Sequence, residues 1–367
     1  MNISKFIIVI FINSLLLVVT NAVLPSCSSG SSINDPALAE NAYLSDMKMI
    51  FSIGDTISAG FLANDLSSSS VNEYRGFSFV TGNETDAWTL NNFLAQTAPS
   101  ISGGSANLLN GIRPVNTFYP LYDGFNGATN TTGNPITSPL NFVVSQAVGK
   151  HGQTYFDNEW KMVTVYLGLF KACTICRTVD FGVQTNSVYW ASLFTDILNN
   201  VLEKFPSKTI INFVGLPKIS QFKSTTPSTC STYNQLQYTC PCLWSQSTSV
   251  LDQVISAANT GIRNSIINWS FDSDPSTSTI GLNYLPFLTN TVFPPTALSP
   301  IDCFHPNVDG QKLMTIGLWN NLRKSPITSV TTSTTLVCGA PYVPIYDPYA
   351  SDLKKKKTTK QKKNYLI

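Results

Sequence analysis

Apolar and polar positions fall into blocks along this 367-residue chain. KMIFSIG (48–54), LNFVVS (140–145), KMVTVYLGLF (161–170), KTIINFVGLP (208–217) and STIGLNYLPF (278–287) are short runs rich in β-branched and aromatic residues, and they read as strands. Between them the period changes. In 187–205, Phe194, Ile197, Leu198, Val201, Leu202 and Phe205 recur at spacings of three and four, so one face of a helix is buried there. Residues 244–269 behave similarly. Pro306 stands at a favoured early helix position before VDGQKLMTIGLWNNLRK. Strands alternating with helices predict an α/β fold, with a parallel sheet covered on both faces. In such sheets sites form at the carboxyl ends of strands, which singles out the loops after Gly54, Ser145 and Gly168. Residues 99–139, rich in Gly, Asn, Pro and Ser, lack periodicity and read as a long excursion loop.

Composition narrows the setting. Charged residues make up only 12% of the chain. The opening MNISKFIIVIFINSLLLVVTNA reads as a secretory signal peptide over 1–22, cleaved after Ala22. The competing reading is a retained anchor, since the run is just long enough to span a bilayer. Residues 23–46 read as an entry segment, 47–325 as the main domain and 326–353 as a C-terminal extension. Sequons at Asn83, Asn130 and Asn268 suit a chain bound for secretion or for the lumen of the secretory-endolysosomal pathway. In that setting the eight cysteines predict disulfides of unassigned pairing, and the Cys173/Cys176 and Cys240/Cys242 spacings are read as bridges rather than as metal or redox sites. No cofactor or metal is expected.

The formal charge of +2 is misleading, because LKKKKTTKQKKNYLI at the end holds seven lysines and the remainder sums to −5. Residues 354–367 therefore read as a disordered, self-repelling tail able to contact an anionic membrane. Nucleic acid is not an expected partner, since the basic residues cluster in that tail without aromatic interleaving.

Two histidines limit the chemistry. His151, among polar residues, reads as a surface side chain. His305 follows Asp302 by three positions, a spacing that lets the carboxylate orient the imidazole while its other nitrogen faces a hydroxyl. IFSIGDTISAG, NEYRGFSF, LNFVVSQAVG, VTVYLGLFKAC, CPC and SPIDCFHPNVDGQKLMTIGLWNNL, in that order over roughly 47–325, resemble the phospholipase B branch of the GDSL (SGNH) hydrolases. The resemblance implies a flavodoxin-like α/β/α sandwich and hydrolysis of lipid or phospholipid esters. It also implies a Ser nucleophile, an Asp-x-x-His pair, and an oxyanion hole built from a Gly N–H and an Asn amide.

Asp302 and His305 match that pattern; the other positions depart from it. Thr56 stands where the family has its Ser, Gln146 at the Gly, and Phe170 at the Asn. A threonine keeps the hydroxyl but adds a methyl that restricts χ1. Gln146 keeps an N–H. Phe170 keeps no donor, and losing one oxyanion donor costs about 10²- to 10³-fold in rate. Lys171 is a weak substitute, and Ser58 and Ser145 read as ordinary serines. The reading is therefore a secreted phospholipase B-like protein with lost or strongly impaired ester hydrolysis, holding a lipid or a partner. The alternative is an active phospholipase or carboxylesterase using Thr56, His305 and Asp302 on phospholipid or lysophospholipid esters.

Overall fold

The computed structural model describes residues 27, 36–65, 72–106, 124–128, 136–224, 240–272, 278–323 and 327–338. The leader, Asn130, Cys230 and the Lys-rich tail lie outside them. Strands β1 (Met49–Gly54), β2 (Lys161–Tyr166), β3 (Thr209–Val214) and β4 (Ile280–Leu285) form one parallel sheet in the order β1-β2-β3-β4. β1, β2 and β3 are buried at every position, as continuous apolar runs require.

The outer edge of β1 is also paired. Ser102 and Asn126 make parallel bridges to Met49 and Ser52, with Ile50 N–H donating to Ser102 O at 2.9 Å and Gly127 N–H to Ser52 O at 2.8 Å. The excursion loop thus returns twice to the sheet. Counting this edge segment, the order across the sheet is that of a flavodoxin-like fold, and the switch point falls at the carboxyl end of β1.

Among the helices are α1 (Leu90–Ala95), α2 (Thr137–His151), α3 (Leu169–Thr174), α4 (Ser187–Lys204), α5 (Pro241–Ser245), α6 (Thr248–Asp272) and α7 (Val308–Leu322), with further short helical segments between them. α4 packs on α2 and α6, closing one face of the sheet. On that side Phe51 meets Phe125, Phe156 and Phe205. On the opposite face Tyr166 meets Phe79, whose N–H is held by Gln311 of α7.

Three expectations are corrected. Residues 140–145 are not a strand but part of α2: Leu140, Val143 and Ala147 are buried at helical spacing, while Asn141, Ser145 and Gly149 are exposed. The run 161–170 breaks after Tyr166, and Gly168, at a φ of 107°, turns the chain into α3. A Cβ there would sit 2.9 Å from the Phe194 ring and would be strained by the positive φ. Pro306 lies just outside its helix, whose N-cap is Asn307, accepting from Gly310 N–H at 3.1 Å.

The described parts of the entry segment and the C-terminal extension pack on the same core. Ala39, Ala42, Leu44 and Val330 are fully buried, and Cys27 is bonded to Cys338. Two further bridges, Cys173–Cys240 and Cys176–Cys242, fasten α3 and the turn that follows it to α5, and Cys303 is also disulfide-bonded. One row across the sheet is polar. Ser52, Thr164, Asn212 and Asn283 are in register and buried; Asn283 donates to Asn212 at 2.8 Å, while Ser52 Oγ and Thr164 Oγ1 have no protein partner. No helix among the described residues is long and apolar enough to cross a membrane.

Candidate active site

At the end of β1 the chain must reverse within a few residues to present a side chain above the sheet. Gly54 permits this, because a Cβ there would fall 2.0 Å from Ser58 Oγ. Asp55 Oδ1 accepts the N–H of Ile57 at 3.1 Å, and the N–H groups of Ala59 and Phe61 return to the carbonyls of Asp55 and Thr56. The turn is clamped from two sides. Gln311 of α7 donates to Ile57 O at 3.0 Å, and Asn126 of the edge segment donates to Ser58 O at 2.9 Å.

Asn126 is in turn held by Arg75. The guanidinium is buried, paired with Glu73 at 3.0 Å, and donates to Asn126 O, Asn126 Oδ1 and Ala128 O. Arg75, Asn126 and Gln311 went unremarked in the sequence as site residues, although Arg75 and Gln311 lie inside two of the blocks that carry the resemblance. Nothing in the spacing of those blocks shows that they converge on one turn.

Thr56, the residue this scaffold presents, places Oγ1 2.8 Å from His305 Nε2. The other ring nitrogen, Nδ1, is 2.5 Å from Asp302 Oδ2. Asp302 Oδ1 accepts the N–H groups of Phe304 and His305 at 3.0 Å each, so both carboxylate oxygens are engaged by one tight turn. Asp302 is fully buried and His305 is 2% exposed. With Nδ1–H donating to the carboxylate, Nε2 is left as the acceptor for the Thr56 hydroxyl. Phe61 and Phe304 stand edge-on to the imidazole at 4.9 and 5.4 Å.

Behind the threonine, burial pushes the Asp55 carboxyl up to about 6, with the backbone N–H of Ile57, the His305 ring and the backbone N–H of Phe170 drawing it partly back. The backbone of Phe170 therefore faces Asp55 from the first turn of α3, and its side chain is half-buried. Gln146 is not brought to this cluster. It stands inside α2, where its N–H closes a helical bond. His151 ends α2 with Nε2 2.9 Å from Ser102 Oγ and its ring stacked on Tyr155, so it is half-buried rather than a plain surface side chain. Asn83 and Asn268 are exposed. Among the described residues no group of His, Cys, Asp and Glu is placed to hold a metal ion.

No family model matches the chain. It is similar to membrane-associated phospholipase B1 of Homo sapiens, 23% identical over 300 residues that cover 78% of this chain and 20% of that protein. The same protein of Rattus norvegicus is 24% identical over 321 residues, covering 82% and 21% respectively. The chain spans about a fifth of the length of the curated relatives it matches. This similarity, with the parallel α/β sheet, supports a lipase-like hydrolase ancestry.

Proposed function

We propose that this protein is a phospholipase B-like member of the GDSL hydrolases that retains a slow lipid-ester hydrolysis through Thr56, His305 and Asp302. The observation that carries the reading is the 2.8 Å contact between Thr56 Oγ1 and His305 Nε2, backed by the Asp302 carboxylate. In the acylation step the hydroxyl attacks the ester carbonyl while Nε2 takes its proton. The imidazolium then returns that proton to the leaving alkoxide, and a water activated in the same way releases the fatty acid. Asp302, bonded to Nδ1, stabilises the imidazolium. The similarity to membrane-associated phospholipase B1 supports a lipid ester as the substrate class.

The charge on the carbonyl oxygen is the weak point. Thr56 N–H remains as a donor, but Phe170 offers no amide, and Gln146 N–H is committed to its helix. Loss of one donor lowers turnover by about 10²- to 10³-fold. Phe170 also favours a second reading, in which the site holds a lipid or another partner without turning it over. The disulfides fit a secreted or lumenal protein. A leader over 1–22, a catalytic unit over 47–325 and glycans at the exposed Asn83 and Asn268 belong to the same reading.

Hydrolysis of short-chain esters and of lysophospholipid decides between the two. Slow turnover by the wild type that His305→Ala abolishes is the expected result. Turnover unchanged in His305→Ala, or absent in the wild type, rejects the relay as working machinery.

A further inference from the structure

In a parallel sheet every strand-to-helix connection starts at the carboxyl edge, so the segments after β2, β3 and β4 share one rim with Thr56 and His305. Among the described residues the large apolar side chains left exposed are Phe181, Val183, Val188 and Val292. All four fall on that rim. Phe181 and Val183 lie on the helical turn between β2 and α4, Val188 opens α4, and Val292 follows β4.

These positions are linked to one another and to the site. Gln221 accepts the N–H of Phe293 at 2.8 Å and donates to Thr291 O at 3.1 Å, tying the segment after β3 to the neighbours of Val292. Phe222 packs on Phe304, which in turn stands against the His305 ring. On the other side Lys223 donates to Gln246 O beside α5, and α5 is disulfide-bonded to α3 and to Cys176 in the segment that leads to Phe181.

The same segments are basic. They carry Lys171, Arg177, Lys218 and Lys223. Of the acidic residues beside them, Asp302 is buried on His305, Asp55 is buried behind Thr56, Asp252 accepts the Ser220 hydroxyl, and Asp180 and Asp309 are exposed. A rim that pairs exposed apolar side chains with an excess of cations matches the two layers of a phospholipid surface, acyl chains within and phosphates above. Asn268 lies near the far end of α6, at the opposite edge of the sheet, so a glycan there would point away from this face.

We infer that the carboxyl rim of the sheet is a membrane-docking face, in which Phe181, Val183, Val188 and Val292 enter the headgroup–acyl boundary of a phospholipid bilayer around the Thr56–His305 site. The inference rests on the lipid-ester reading for its choice of partner. Its test does not depend on turnover.

The experiment is co-sedimentation of the secreted form, residues 23–367, with phosphatidylcholine vesicles, whose zero net charge gives the Lys-rich tail nothing to neutralise. Wild type and Thr56→Ala should both sediment. Phe181→Asp combined with Val292→Asp should weaken partitioning by about tenfold or more for each residue, while cleavage of a soluble monomeric ester stays at the wild-type rate. As a second measurement, Val292→Trp should show blue-shifted emission when vesicles are added. Partitioning of the aspartate variant equal to wild type, or no emission shift, overturns the inference. So does a concentration-dependent dimer, formed without lipid and lost in the aspartate variant, which would make a second copy the occupant. If wild type and Thr56→Ala sediment but no ester is cleaved, the docking face stands and the hydrolase reading fails. If esters are cleaved but nothing sediments, the opposite holds.

Discussion

Thr56 Oγ1 and His305 Nε2 are 2.8 Å apart, although 249 residues separate them along the chain. The threonine is delivered by the strand end of β1 and the histidine by the turn before α7, and Gln311 of α7 bonds the threonine's own turn. The contact is therefore rigidly supported. It places an imidazole on a β-branched alcohol whose extra methyl crowds the space around the hydroxyl.

Relieving that crowding should raise turnover. Thr56→Ser removes the methyl and leaves the hydroxyl, with an expected gain in kcat of roughly tenfold, about 1.4 kcal/mol in the barrier. Adding Phe170→Asn offers an amide near the same turn and should contribute a further factor of about 10². Steady-state kinetics on a short-chain ester measure both. No gain from either change would show that the relay geometry does not limit the reaction.

Asp55 predicts a distinct pH signature. Its carboxyl is raised from 3.8 to about 6 by burial, so the folded state binds a proton more readily than the unfolded chain. Stability should therefore rise as pH falls through about 6 and level off near 4, with a limit of about 3 kcal/mol. Asp55→Asn removes the titrating carboxyl and with it this pH dependence. Thermal unfolding between pH 4 and 8 should show the wild type gaining on the variant upon acidification, and parallel curves would contradict it.

Arg75 is expected to be a large contributor to stability. Removing it takes the buried guanidinium away from the Glu73 carboxylate and releases the carbonyls of Asn126 and Ala128. Arg75→Met should cost about 3–5 kcal/mol in urea unfolding. Because Asn126 holds the Thr56 turn, the same variant should lose ester hydrolysis at temperatures where it remains folded.

Thr164 points the other way. Its hydroxyl is buried in the sheet with no protein partner, so Thr164→Val keeps the shape and removes an unmet polar group. The variant should be more stable than wild type by about 1 kcal/mol in the same assay. A loss of similar size would mean that the hydroxyl is satisfied in solution.

Much of the architecture was legible before any coordinates. Continuous apolar runs sufficed for β1, β2 and β3, because a strand buried on both faces has no polar side to obscure it, whereas the less completely buried β4 gave a weaker signal. The stripe from Phe194 to Phe205 marked α4 for the same reason, with Phe205 ending it. Residues 140–145 show where this fails. Leu140, Phe142, Val143 and Val144 suit a short buried strand as well as one side of a helix, and the period becomes clear only when Ala147 is included. The edge segment 125–128 was invisible, since four residues, Phe-Asn-Gly-Ala, carry no pattern and acquire meaning only from pairing with β1.

The site divides along the same line. Asp302 and His305 were readable because their bond is local, closed within a single turn by short-range backbone geometry. The sequence alone also determined which groups are present, a hydroxyl at 56 and no amide at 170. Whether the hydroxyl meets the imidazole, and that Arg75, Asn126 and Gln311 converge to hold it there, was decided by tertiary structure. So was the removal of Gln146 from the cluster. Local chemistry follows from neighbours in the chain, whereas contacts across hundreds of residues exist only once sheet order and helix packing have brought distant segments to the same end of β1.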